Sequence, residues 1–131
     1  MTSHILLIED DEALRGEILG YLLRRRHRVT ACGSIEEASE ALENASDPKT
    51  APDTIVSDIR LPDGDGVSFY VANARRYPRI RWILMSGNHD LVRLGNRLKN
   101  LQDMPGCAVI DKPVPLRLLD RFIQTAAPQA A

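Results

Sequence analysis

The chain has 131 residues, the usual size of one compact domain, and its 44% hydrophobic and 27% charged content is that of a globular protein, not of a disordered one. No apolar run approaches the roughly 18 residues that a spanning helix needs, and the N-terminus lacks the basic-then-apolar pattern of a signal peptide, so a cytoplasmic protein is expected. A net charge of −1 supplies no overall field for attracting nucleic acid or anionic lipid, and neither partner is expected.

His4-Ile5-Leu6-Leu7-Ile8 is a continuous aliphatic run, the pattern of a strand covered on both faces, and it ends in Glu9-Asp10-Asp11. Leu14, Ile18, Leu19, Leu22 and Leu23 follow at helical spacing, with Asp10 or Asp11 as a cap and Arg24-Arg25-Arg26-His27-Arg28 closing the helix as a solvated end. Arg28 to Cys32 reads as a second strand broken by Gly33. Ser34 and Glu37 then have the spacing of a capping box before a helix carrying Ile35, Ala38, Ala41 and Leu42. The polar stretch from Asn44 to Pro52 is a loop within the domain.

Thr54-Ile55-Val56-Ser57-Asp58 reads as a buried strand that runs straight into an acid, followed by a loop marked by Pro62, Gly64 and Gly66. Val67, Tyr70, Val71 and Ala74 suggest a third helix ending near Pro78. Trp82 to Ser86 is a fourth strand halted by Gly87-Asn88, and Leu91, Leu94, Leu98 and Leu101 mark a fourth helix with Arg93, Arg97 and Lys99 on its other faces. Cys107 to Ile110 is a fifth strand ending at Asp111-Lys112-Pro113. Leu116, Leu119, Phe122 and Ile123 form the last helix before a frayed tail, 126–131. Cys32 and Cys107 form no CxxC pair and read as small buried hydrophobes.

Five strands alternating with five helices predict an α/β fold, a doubly wound five-stranded parallel sheet in a single domain with its core at about 3–125. In such a sheet every carboxyl end lies along one edge, so Glu9-Asp10, Asp58, Ser86 and Lys112 converge although far apart in sequence. Clustered carboxylates repel one another and are offset by a divalent cation; oxygen ligands point to Mg²⁺ or Mn²⁺. Asp58 is then the candidate nucleophile toward a phosphoryl donor, with Lys112 neutralising and Ser86 hydrogen-bonding the transferred group. Taken singly, each of these residues also fits a helix cap, a strand end or a turn. It is the four strand-end placements together that argue for a site.

The chain resembles a receiver domain of two-component response regulators over essentially its whole length. The matching residues are Ile5-Leu6-Leu7-Ile8-Glu9-Asp10-Asp11-Glu12, Asp58 with Pro62 and Gly66 after it, Ser86, and Lys112-Pro113. The resemblance implies a flavodoxin-like strand order 2-1-3-4-5 and a phosphoryl group taken onto Asp58 from a phosphohistidine on a sensor histidine kinase or phosphotransfer protein. It implies Mg²⁺ held by Asp10, Asp58 and the backbone carbonyl of Arg60, with Glu9 acting through water. It makes Ser86 the switch hydroxyl and Lys112 the phosphoryl-binding lysine, before a cis bond to Pro113. A downstream protein is expected on the face of the fourth and fifth helices. The chain stops just after the fifth helix, as expected of a stand-alone receiver, a phosphorelay shuttle or an excised fragment.

Three departures stand out. Val109 occupies the position where the family usually has an aromatic switch residue, the interval from Ser86 to Lys112 is long, and Gly87 replaces a common Ala. Val109 leaves open a receiver-like module that binds partners without phosphorylation. A magnesium-dependent aspartyl-phosphate phosphatase of the haloacid-dehalogenase type needs an Asp two residues after its nucleophile, and that position is Arg60. A flavin module is disfavoured by the missing Ser/Thr-rich phosphate loop and by acids that would repel the flavin phosphate.

Overall fold

The computed structural model describes residues 3–45, 47, 50–87, 90, 100, 104 and 106–125. Strands β1 (His4–Ile8), β2 (Arg28–Cys32) and β3 (Thr54–Asp58) alternate with helices α1 (Glu12–Arg24) and α2 (Ile35–Asn44). A short hairpin of β4 (Arg60–Leu61) and β5 (Gly64–Asp65) follows, then α3 (Gly66–Asn73), β6 (Arg81–Ser86), β7 (Cys107–Asp111) and α4 (Leu116–Thr125). The five long strands form one parallel sheet in the order β2-β1-β3-β6-β7, which is the predicted 2-1-3-4-5 with β6 and β7 as the fourth and fifth strands.

Alternation along the strands divides the core between the two faces of the sheet. Leu6, Ile8, Ile55, Trp82 and Leu84 pack with Ala38 and Leu42 of α2 and Val67, Phe69 and Tyr70 of α3. Ile5, Leu7, Val56, Ile83 and Met85 face the other way, onto Ile18 and Leu22 of α1 and Leu119 and Ile123 of α4. The fold is therefore doubly wound, and its central strands are apolar on both faces because both are covered.

Four helices lie among the described residues; the expected helix of Leu91, Leu94, Leu98 and Leu101, with Arg93, Arg97 and Lys99, falls outside them, as does the tail 126–131. Boundaries shift in two places. α1 stops at Arg24 because Arg25 caps it and Arg26 turns left-handed at φ 68°, and His27 is buried instead of belonging to the solvated end. α3 ends at Asn73, short of Pro78, and the β4–β5 pair appears where only a loop was expected. Cys32 is buried, Cys107 is half-buried, and both are free thiols pushed up to about 11 by burial.

Candidate functional site

The carboxyl edge of the sheet gathers the residues singled out from the sequence. Asp58 ends β3 at 5% exposure, and Glu9, directly after β1, is fully buried. Asp10 is exposed beside them. Carboxylate oxygens of Glu9, Asp10 and Asp58 lie within 4.8 Å of one another, close enough to share one cation. Lys112, one residue past β7, closes the group: its Nζ donates to Asp58 Oδ2 at 2.8 Å and to Glu9 Oε1 at 3.1 Å.

Charge crowding shows in the protonation preferences. Burial first, and then the neighbouring Asp58 carboxylate, push the Glu9 carboxyl up to about 8, against the pull of Lys112. Burial draws the Lys112 ammonium down, but Asp58 and Glu9 together outweigh it and hold it above its ordinary value. The edge is thus an acid pair bridged by one ammonium, with a third carboxylate open to solvent.

Local structure fixes each member. Arg15 in the first turns of α1 donates from Nη1 to the Glu9 carbonyl at 2.9 Å, and Asp11 caps α1 by accepting from Ala13 and Leu14 N–H groups at 3.0 and 3.1 Å, so the acidic turn is held at both ends. After Asp58 the chain must double back beneath it. Gly66 N–H donates to the Ile59 carbonyl at 2.7 Å, and a Cβ on Gly66 would collide with the Asp58 carbonyl oxygen and sit 3.1 Å from Ser57 Oγ. The close approach of two backbones is what requires glycine there. Pro62 lies in the turn between β4 and β5, and Asp65 caps α3 through the Ser68 N–H at 2.7 Å.

Ser86 ends β6 at 2% exposure, with its hydroxyl donating to the Gly87 carbonyl at 3.3 Å, and its own carbonyl accepts from the Lys112 N–H at 2.7 Å. Ser86 and Lys112 are therefore tied directly, and the Lys112–Pro113 bond is cis as expected. Val109 is half-buried and packs toward the α2–α3 side of the sheet. Gly87 has room for a methyl group, its nearest neighbour being Asp90 Oδ2 at 3.6 Å. Arg60 is exposed on β4, and its Nε lies 3.8 Å from Asp90 Oδ1.

Two acids escaped the sequence reading. Asp63 accepts from the Ile35 and Glu36 N–H groups, both at 2.9 Å, and so caps α2 from the hairpin beyond Asp58; those backbone bonds hold its carboxyl below the ordinary value. The cap lies far from its helix in sequence, so no local pattern announces it. Asp90 accepts from the Gly87 N–H at 2.7 Å, a turn signal that its spacing from Gly87 offered.

Comparison with known proteins gives the family and the fold. Residues 5–124 match the family model of the response regulator receiver domain. The transcriptional regulatory protein AfsQ1 of Streptomyces coelicolor is 32% identical over 120 residues, 92% of this chain and 49% of AfsQ1. The DNA-binding transcriptional regulator NtrC of Proteus hauseri is 30% identical over 89 residues, 68% of this chain and 18% of NtrC, so the chain spans half or less of these curated relatives. A response regulator receiver domain protein from Clostridium thermocellum shares the fold with a TM-score of 0.80 at 21% identity, over 95% of this chain and 94% of that one. With the family model matched over residues 5–124 and the fold shared with a receiver domain, the chain belongs to the receiver domains of two-component response regulators.

Proposed function

We propose that this chain is a phosphoaccepting receiver in a two-component phosphorelay, a single domain over residues 1–131 with its core at about 3–125. Asp58 takes a phosphoryl group from a phosphohistidine on a sensor histidine kinase or phosphotransfer protein, and the change switches the binding of a downstream protein. The observation that carries this reading is Lys112 bridging Asp58 and Glu9 beside an acid cluster that could share one cation.

In the transfer an Asp58 carboxylate oxygen attacks phosphorus, the bond from phosphorus to the partner's imidazole nitrogen breaks, and that nitrogen keeps the electron pair and takes up a proton. Glu9, Asp10 and Asp58, with the Arg60 carbonyl, would hold Mg²⁺ or Mn²⁺, and the all-oxygen donor set suits a hard cation. Bound there, the ion supplies positive charge against the phosphoryl oxygens. Lys112 keeps Asp58 in place and offers its ammonium to one of those oxygens. The Ser86 hydroxyl turns from the Gly87 carbonyl to another. Water attack on phosphorus later breaks the Asp58–phosphoryl bond, so the only catalysis is on the domain's own acyl phosphate.

The downstream protein is assigned to the face that includes α4, in the cytoplasm; no helix among the described residues is long and apolar enough to cross a membrane. Transcriptional regulation and DNA binding are named for AfsQ1 and NtrC as whole proteins, and no nucleic-acid contact is assigned to this chain. Val109 favours a second reading, a receiver-shaped module that binds partners without being phosphorylated.

Transfer from a radiolabelled phosphohistidine protein separates the two. Label is expected on the wild-type chain and not on Asp58→Asn, which removes only the nucleophilic oxygen. Stable labelling of the variant on another residue contradicts the assignment, and no labelling of either protein supports the second reading.

A further inference from the structure

Asp90 is 2% exposed, yet among the described residues only one of its carboxylate oxygens has a hydrogen-bond partner. Oδ2 accepts from the Gly87 N–H at 2.7 Å, while the Asp90 N–H donates back to the Gly87 carbonyl at 3.0 Å. Oδ1 is buried with no hydrogen-bond partner among the described residues. An ionised carboxylate taken out of water needs a compensating cation. Arg60 supplies it, with Nε 3.8 Å from Oδ1. That distance is within ion-pair range and too long for a hydrogen bond, and the Arg60 side chain is still 53% exposed.

Arg60 begins β4, two residues beyond Asp58, and also lines an open cleft of about 490 Å³ with Asp10, Leu61, Pro62, Gly64 and Asp65. A loosely held guanidinium beside a buried carboxylate after β6 thus shares a cleft with Asp10, one of the three acids clustered with Asp58.

We propose that Arg60 is a positioning residue shared between Asp90 and the phosphoryl group on Asp58, so that phosphorylation draws its guanidinium away from Asp90. The inference rests on the assignment of Asp58 above. A phosphoryl group offers close to two negative charges and three acceptor oxygens, against one oxygen of Asp90 that Arg60 does not hydrogen-bond. Once Arg60 leaves, Asp90 keeps, among the described residues, the Gly87 N–H, and loss of the neighbouring cation from the buried carboxyl group forces the reciprocal bonds between Gly87 and Asp90 to rearrange. Gly87, directly after Ser86, then reports the state of Asp58 with no aromatic side chain on β7, where this chain has Val109.

The test is the lifetime of the phosphorylated protein, loaded with acetyl phosphate and Mg²⁺ and followed by intact mass, in wild type, Asp90→Asn, Arg60→Gln and the double variant. Asn keeps an acceptor for the Gly87 N–H and removes the charge. Freed of its competitor, Arg60 stays on the phosphoryl group and shields it from water. Asp90→Asn therefore lengthens the lifetime about threefold or more in the wild-type background and leaves it unchanged in the Arg60→Gln background. An equal effect in both backgrounds, or in neither, overturns the shared role and leaves Asp58 as acceptor standing. Absence of phosphoryl uptake by the wild type removes both. The amide resonance of Gly87 tests the pair without phosphorylation: Arg60→Gln shifts it in the wild type and not in Asp90→Asn, and a resonance that moves in neither overturns the proposal.

Discussion

Lys112 is where opposing demands on single side chains meet, because its ammonium satisfies two buried carboxylates that would otherwise repel each other. Lys112→Ala is expected to leave cation binding by Glu9, Asp10 and Asp58 in place, since no donor oxygen is lost, while cutting the tie between Asp58 and the backbone at Ser86. Titration with Mg²⁺ followed by amide shifts at Ser86 and Gly87 checks this: binding should persist, and acetyl phosphate should no longer move those amides. Unchanged coupling would argue against the role assigned to Lys112. Gly66→Ala carries a different cost, because its methyl group meets the Asp58 carbonyl, which is backbone and cannot rotate away. We expect a loss of about 1–3 kcal/mol in urea denaturation, in line with overpacking elsewhere. At this scale the sequence was legible wherever a residue sits at a strand end, as Glu9, Asp58, Ser86 and Lys112 do, since topology alone brings such positions together. Asp63 was not, because its partners are backbone groups of a helix distant in sequence, and Asp90 offered only its turn spacing from Gly87, which says nothing of its burial.

Among the elements, α1 and α4 are tied by an ion pair at the end of the sheet away from the acids. The Ser3 N–H donates to His27 Nδ1 at 3.1 Å, which leaves the proton on Nε2 to be donated to Asp120 Oδ1 at 2.8 Å, while Arg25 Nε reaches Oδ2 at 3.1 Å. Burial pushes the Asp120 carboxyl up, but the bonds from His27 and Arg25 outweigh it and hold the group below its ordinary 3.8. A depressed carboxylate adds stability that is present above its unfolded value and is lost as pH falls through the folded one. Acid should therefore destabilise the wild type progressively below about pH 4, and Asp120→Asn should flatten that part of the profile. At neutral pH, Asp120→Ala leaves the His27 Nε2–H buried without an acceptor and should cost about 1–3 kcal/mol. Urea midpoints across the pH range read both effects; a variant as acid-sensitive as the wild type would contradict the pairing. The elements themselves were readable from apolar spacing and from the Ser34 cap. Their ends were less so: the left-handed Arg26 stops α1 before the basic run is finished, and burial of His27 follows from a partner distant in sequence.

Across the molecule, the described residues form two apolar cores separated by one sheet, each closed by two of the described helices. Trp82, the single tryptophan, sits in one of them with its ring edge-on to Phe69 and Tyr70 at 5.6 and 5.3 Å. Because β1, β3 and β6 contribute side chains to both cores, the cores should unfold together. Tryptophan fluorescence and far-ultraviolet circular dichroism are expected to share one urea midpoint, and separate midpoints would show the two faces opening independently. The parallel sheet was legible from the alternation of strands and helices, while the strand order came only with the family resemblance that the motif residues carry. The same winding places Asp58 beside Glu9, Asp10 and Lys112, and the account stands on what that juxtaposition does. Its most direct test is the intact mass of the protein after incubation with acetyl phosphate and Mg²⁺, beside Asp58→Asn and an EDTA control. One added phosphoryl group that requires both Asp58 and the cation is the predicted result; a folded, Mg²⁺-binding protein that gains nothing would contradict it.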